Sequence, residues 1–323
     1  MQDTPLTLVH LFERAEKYHS EKTIVTATAT GKERTTYGEW AARTRQLGGV
    51  LDKLGISKDG RVATFAWNSA RHLELYFAPP CTGRVAHTLN IRLFPEQLTY
   101  IVNHAEDEVI FIDRSLFALI APLLPTFTTV KHLVIMDDGK GDVPDSVKGF
   151  EMHDYEALLK GTPGVEFRIT DEHLAASMCY TSGTTGNPKG VVYSHRSTFL
   201  HTMATMFADG VGVKESDVIL PVVPMFHANG WGMPYAVTAM GGRHIVLRKV
   251  DGAEILRRVE QLGAVAAPWL EPYRQALHDL PHDGSLHGSA AANAQQRLLA
   301  CQPLSSPFVL VQQLAQPAQP ESP

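Results

Sequence analysis

Two short runs, EVIFID at 108–113 and HLVIMD at 132–137, are apolar at almost every position rather than at every second one. A strand of that kind is covered on both faces, which points to a largely parallel sheet with helices packed on either side. The surrounding sequence supplies such helices. Residues 6–19 put Leu8, Val9, Leu11, Phe12 and Ala15 on one helical face. The run TIVTAT (23–28) reads as a strand, and 37–54 returns to the helical period through Trp40, Leu47, Val50, Leu51 and Leu54, with Gly55 as its stop. A strand over 61–67, a helix near 69–77, a strand over 84–89 and a helix opening at Pro95–Glu96 and running to about His104 continue the alternation. The segment 137–149 is punctuated by Gly, Pro and Asp and reads as a surface loop. The expectation is an α/β fold of layered, mostly parallel sheets flanked by helices, with an irregular C-terminal tail.

Composition sets limits on partners. Lys and Arg number 29 against 34 Asp and Glu, a net charge of −5, so the basic footprint that nonspecific nucleic-acid binding needs is missing. Cys81, Cys179 and Cys301 stand far apart without CxxC spacing, which excludes a disulfide scaffold and a zinc ribbon and fits a reducing compartment. Asp3, Glu13 and Glu16 interrupt what a signal peptide would keep apolar. No uncharged apolar run reaches the ~18 residues of a membrane span. A cytoplasmic chain without a transmembrane segment is therefore expected.

Composition also shifts abruptly along the chain. Of the 60 residues in 264–323, 27 are Ala, Gln or Pro and only 6 are charged, against 57 charged among the preceding 263. The expected organisation is one domain over 1–263 and an atypical Ala/Gln/Pro-rich tail over 264–323.

The most informative loop is Thr181-Ser-Gly-Thr-Thr-Gly-Asn-Pro-Lys-Gly190, entered from the apolar run 175–180 and left through the β-branched run 191–193. Gly183, Gly186 and Gly190 let backbone N–H groups approach an anion closely. Thr181, Ser182, Thr184 and Thr185 add four hydroxyls, and Lys189 adds a positive charge. That is a polyphosphate cradle. It is not a Walker A loop, because counting GxxxxGK from Gly183 puts Pro188 where the second glycine belongs. A Gly/Thr loop is more often a plain connection between strands. The lysine at its end and the strands on both sides favour the phosphate reading here.

TSGTTGNPKG followed by VVYSHR resembles the signature loop of the adenylate-forming (AMP-binding) superfamily. RVATFAWNSARHLELYFA (61–78), HTLNIRLFPEQLTYIVNHAEDEVIFID (87–113) and PVVPMFHANGWGMPY (221–235) are similar to its bacterial medium- and long-chain fatty-acid–CoA ligases. The resemblance covers residues 1 to about 263, the N-terminal part of a family member. It implies activation of a fatty acid by ATP with Mg²⁺ to an acyl-adenylate, then transfer to the thiol of coenzyme A. Thr181, Ser182, Gly183, Thr184, Thr185, Gly186 and Lys189 match the positions that hold the triphosphate, with Thr184 as a Mg²⁺ contact. His227 matches the histidine beside the reacting carboxylate, and Phe226, Trp231 and Met233 would line the acyl path.

Cys179, beside the loop, reads as a buried strand residue rather than a nucleophile. The acidic runs Glu106–Asp107–Glu108 and Asp137–Asp138 read as solvated surface. His278, His282 and His287 are too loosely spaced for a metal site. The family continues with a Thr-Glu adenine motif, a Thr-Gly-Asp ribose motif and a catalytic lysine. This sequence has no Thr-Glu, no Thr-Gly-Asp and no lysine after Lys249. A frameshift, a truncation or divergence of the tail would each leave this pattern. Impaired catalysis is accordingly expected, and the alternative is a non-catalytic remnant that binds nucleotide or acyl chain weakly.

Overall fold

The computed structural model of the chain describes residues 3–28, 31–181, 186–221 and 223–248. They form two sheets. The smaller holds β1 (Thr23–Thr28), β2 (Gly31–Thr36), β10 (Val218–Ile219) and β11 (Arg243–Leu247) in the order β10-β11-β1-β2. The larger holds β3 (Arg61–Phe65), β4 (Val85–Thr88), β5 (Asp107–Asp113), β6 (His132–Met136), β7 (Glu151–Asp154), β8 (Ala175–Tyr180) and β9 (Gly190–Ser194) in the order β7-β6-β5-β3-β4-β8-β9. Every neighbouring pair is parallel except β1–β2 and β8–β9. The expected α/β architecture is present, and the two fully apolar runs are β5 and β6 at the buried heart of the larger sheet.

Among the described residues, eight α-helices flank these sheets: α1 (Leu8–Tyr18), α2 (Tyr37–Lys53), α3 (Ala70–Cys81), α4 (Pro95–Ala105), α5 (Phe117–Ile120), α6 (Tyr155–Leu159), α7 (His195–Met206) and α8 (Met233–Met240). The start of α2 has a local cause. The Thr36 hydroxyl accepts the Glu39 N–H while the Glu39 carboxylate accepts the Thr36 N–H, a reciprocal cap that opens α2. Gly55, in the left-handed region at φ +70°, follows its last turn. The buried face of α1 is Leu8, Val9, Leu11, Phe12 and Ala15, as the periodicity predicts.

Helix α3 runs past its predicted end through Pro79 and Pro80. Proline removes the N–H that the carbonyl four residues back would accept. The Tyr76 carbonyl, deprived by Pro80, takes the Tyr235 hydroxyl at 3.5 Å instead. The same region forms the aromatic core, where Trp40 meets Phe12 and Phe77 with ring centroids 5.2 Å apart in each case. Pairs of this kind add roughly 0.5–1.5 kcal/mol beyond burial. Ile24 and Val246 of the smaller sheet and Ala176 of the larger join this one cluster, so the helices bind the two sheets together.

β2 was invisible to apolar periodicity because GKERTT is polar throughout, as suits an exposed edge strand. Among the described residues, no helix is long and apolar enough to cross a membrane. The 264–323 tail, with His278, His282 and His287, lies outside the described residues.

Candidate active site

The β8–β9 pairing turns the signature loop into a hairpin tip. Tyr180 stands opposite Gly190 and Cys179 opposite Val191. At its neck the Thr181 N–H donates to the Lys189 carbonyl at 3.0 Å, and the Lys189 N–H donates to Thr181 Oγ1 at 3.1 Å. Lys189 is thus rooted directly across from Thr181, and both side chains face solvent. Gly190 is closely approached: a Cβ there would lie 3.0 Å from Cζ of Tyr180, so that ring would have to give by a few tenths of an ångström. Gly186 lies on the exposed return of the loop, whereas Ser182, Gly183, Thr184 and Thr185 lie outside the described residues.

The Tyr180 ring is held from below. Its hydroxyl hydrogen-bonds His104 Nδ1 at 2.7 Å, and its ring lies 5.4 Å from that of His87. His87 Nδ1 in turn meets the Asp107 carboxylate at 2.8 Å, both side chains being fully buried. Burial raises the Asp107 pKa, and the His87 partner offsets part of that rise. Asp107 therefore corrects the surface reading of the run 106–108: a partner twenty residues away makes its burial tolerable. Burial pushes the Cys179 thiol up to about 11, which agrees with a structural rather than a nucleophilic cysteine.

The second motif approaches from the other side. Asn68 Oδ1 accepts the Met225 N–H at 2.7 Å, and the Tyr76 hydroxyl donates to the Met225 carbonyl at 2.5 Å. That clamp delivers Phe226 and His227 to the ends of the strands. Beyond it the backbone takes five successive left-handed residues, Ala228, Asn229, Gly230, Trp231 and Gly232, with φ between 42° and 70°. For the non-glycine residues this costs roughly 1–2 kcal/mol each. Strain of that order persists only where surrounding packing imposes it, and it concentrates at functional sites.

A cleft lies between Tyr180, at the foot of the loop, and the second motif. Thr88 ends β4 and Asn90 follows it, Tyr180 ends β8, and Phe226, His227 and Ala228 close the other wall. This is the carboxyl edge of parallel strands, where open α/β sheets bind ligands. Asn90 orients the histidine. Its Oδ1 accepts the Arg92 N–H at 3.0 Å, which turns its amide nitrogen toward His227 Nδ1 at 3.5 Å. With Nδ1 accepting, the ring proton sits on Nε2. Loss of solvent around the ring, and then the Arg92 guanidinium, hold the His227 pKa below its ordinary value, so the neutral imidazole prevails at pH 7.

A second cleft lies across the buried Phe226 ring and is lined by Trp67, Asn68, Arg92, Pro224 and Arg248. The Arg92 guanidinium lies 5.5 Å over Phe226, and that of Arg248 lies 5.8 Å over Trp67. Trp231 is 47% exposed and lines neither cleft, while Met233 is buried in a satellite core with Val211 and Ile219. Phe226 is thus the residue of the predicted acyl set that the fold brings to both openings. Asn68, Asn90, Arg92 and Arg248 went unnoticed as site residues, although the first three sit inside the segments that carried the resemblance.

Arg248 also corrects the surface reading of Asp138. It pairs with that carboxylate at 2.6 Å, and Ser115 donates both its N–H and its hydroxyl to the same group. Beside them Asp113 accepts the Trp67 N–H at 2.7 Å, and burial, reinforced by Asp138, pushes its carboxyl up to about 7. The native chain therefore keeps a proton that the unfolded chain releases near pH 4. The stability from that proton is full below about pH 4 and lost as pH rises through about 7. Asp113→Asn, which keeps an acceptor for Trp67, is expected to flatten this decline by about 2–4 kcal/mol between those limits. Urea unfolding of both proteins across pH 4–8 measures it, and an unchanged slope refutes the assignment.

Comparison with known proteins agrees with the geometry. The profile of the AMP-binding enzyme family matches residues 11–270. The chain is 44% identical over 280 residues to a 3-methylmercaptopropionyl-CoA ligase of Ruegeria lacuscaerulensis, covering 86% of this chain and 52% of that protein. It is 41% identical over 271 residues to a medium-chain-fatty-acid–CoA ligase of Ectopseudomonas oleovorans, covering 83% and 49%. The chain spans about half the length of these curated relatives. A crystal structure of a long-chain-fatty-acid–CoA ligase from Archaeoglobus fulgidus superposes with a TM-score of 0.67 at 19% identity, covering 82% of this chain and 51% of that one, a likeness of fold.

Proposed function

We propose that this chain, which belongs to the AMP-binding enzyme family, carries the phosphate-holding and acyl-facing walls of an acid–thiol ligase site. The supporting observation is the cleft in which Tyr180, the residue that leads into the 181–189 loop, faces Phe226 and His227. In the reaction a carboxylate oxygen bonds to the α-phosphorus of ATP while the bond to the β-phosphate oxygen breaks and pyrophosphate leaves. The thiol of coenzyme A then bonds to the acyl carbon, and AMP leaves. The first step brings two anions together, so cations and N–H donors at the phosphates carry much of the barrier reduction.

Lys189 supplies such a cation. The Thr181 hydroxyl, already accepting the Lys189 N–H, keeps its own proton to donate to a phosphate oxygen. Ser182, Gly183, Thr184, Thr185 and Gly186 complete the cradle in this reading, with Thr184 assigned to Mg²⁺, which supplies charge neutralisation when bound. His227, neutral with its proton on Nε2, donates a hydrogen bond to the acyl carboxylate and orients it. Phe226 is the apolar wall at the start of the acyl path, with Trp231 at its outer end. Medium- or long-chain fatty acids are the proposed substrates, and the walls that set chain length are not among these residues. The same reading divides the chain at 263, with 264–323 as a separate segment.

Acid-dependent ATP–pyrophosphate exchange with the purified chain tests this. Exchange is expected with medium- or long-chain acids and Mg²⁺, reduced about 10²-fold or more in Lys189→Ala. The absence of the Thr-Glu and Thr-Gly-Asp motifs from this sequence favours a low rate. Folded protein that retains ATP without exchange would establish the non-catalytic reading instead.

A further inference from the structure

Three donor side chains converge at the opposite end of the larger sheet. His132 opens β6, and the parallel register sets it against Glu151, the first residue of β7, with Val134 against His153. Residues 151 and 153 project from the same face of β7, because alternate residues of a strand do. His132 Nδ1 lies 3.2 Å from His153 Nε2 and 3.5 Å from Glu151 Oε2. All three donor atoms lie within 4.8 Å of one another.

We propose that His132, Glu151 and His153 form a binding site for a borderline divalent transition ion, with Zn²⁺ as the expected occupant. Two ligands about 2.05 Å from a tetrahedral zinc ion stand about 3.3 Å apart, which both distances from His132 match closely. The set of two imidazoles and one carboxylate suits Zn²⁺ or Co²⁺ and disfavours Mg²⁺ and Ca²⁺, which take oxygen ligands. Three protein ligands leave one position for water, and the Glu151 side chain, 71% exposed, opens on to solvent. His132 is nearly buried, so one ligand is fixed by packing while the others need only small rotations. Lys53 acts on His153 from nearby, and that repulsion moderates affinity.

The location assigns the ion a role. These residues sit at the amino edge of the parallel strands, whereas the candidate active site sits at the carboxyl edge. β7 is the outermost strand on its side and only four residues long. An ion held by two of its residues and by His132 of β6 would staple that edge, and it would act on stability rather than on acyl transfer.

The full chain, stripped with chelator and titrated with Co²⁺, tests the site by visible absorption and equilibrium dialysis. One equivalent is expected to produce the d–d bands of a four- or five-coordinate ion and to be displaced by Zn²⁺. Glu151→Gln, at an exposed position, and His153→Gln, at a half-buried one, are each expected to weaken Co²⁺ binding about tenfold or more. Zn²⁺ should raise the melting temperature of the parent chain and of neither variant. Melting of the metal-free variants close to the parent checks that they are folded. Affinity retained in either folded variant would overturn the proposal, because the ion would then sit on other histidines among the 15. The trio would in that case be a histidine–histidine hydrogen bond with an ion pair at its rim.

Discussion

Glu74→Ala is expected to lower the unfolding free energy by about 3–5 kcal/mol, the cost of breaking a buried ion pair from one side. The Glu74 carboxylate is 2% exposed on α3 and takes three donors. Arg43 of α2 reaches Oε1 through Nε at 2.7 Å and Oε2 through Nη2 at 3.4 Å, and the Tyr155 hydroxyl of α6 donates to Oε2. Burial, reinforced by the Glu156 carboxylate, raises the pKa of Glu74, and Arg43 and Tyr155 oppose that rise. The group is thus costly to bury and costlier still to delete, since deletion orphans a buried hydroxyl and half of a guanidinium. Glu74→Gln, whose one oxygen keeps the Arg43 Nε bond while its NH₂ donates to the Tyr155 hydroxyl, should lose only about 1–2 kcal/mol. Glu156 binds the same Arg43 at 2.8 Å but is 44% exposed. Its replacement by glutamine should therefore cost less than about 1 kcal/mol. Urea unfolding of the three variants gives the order directly. A Glu74→Ala loss below that of Glu156→Gln would refute this account of the network.

That network shows where sequence reading stops. Periodicity exposes a residue's own preference, so the face of α1, the stop at Gly55 and the double-covered strands β5 and β6 were legible. The placing of the 181–189 loop between two strands was legible too, because those strands adjoin it in sequence. Burial of charge is a property of pairs. Asp107 depends on His87, and Asp138 on Arg248, 110 residues further on, so each looked like surface until its partner was placed. β11 lies beyond the paired glycines Gly241 and Gly242 and had no strong alternation to announce it. The acyl assignments divided for a similar reason. Phe226, Trp231 and Met233 are equally apolar, yet the arch from 228 to 232 turns one into the clefts, one toward solvent and one into a core. Only Gly230 and Gly232 signalled that arch.

Gly232 is where the arch is most exposed to a single change. At φ +70° it lies in the left-handed region, and a Cβ there would stand 2.5 Å from both Cε1 and Nδ1 of His201 on α7. Gly55 provides the control, because its φ is also +70° and nothing lies within 4 Å of its virtual Cβ. Gly55→Ala should therefore cost only the backbone term, about 1 kcal/mol. Gly232→Ala adds the displacement of a ring inside a packed region and should cost about 2–4 kcal/mol. The excess also has a direction. His201 belongs to α7, which leaves the β8–β9 hairpin, and Gly232 lies five residues from His227, so where the ring does not yield, the clash shifts the arch that carries His227. A shift of about 1 Å at a reacting group costs on the order of 10²-fold in rate. Gly232→Ala is accordingly expected to lose ATP–pyrophosphate exchange well beyond the fraction unfolded at the assay temperature, whereas Gly55→Ala keeps the parent rate. Equal stability losses in the two variants would show that His201 yields freely and that packing around α7 does not hold the arch in place.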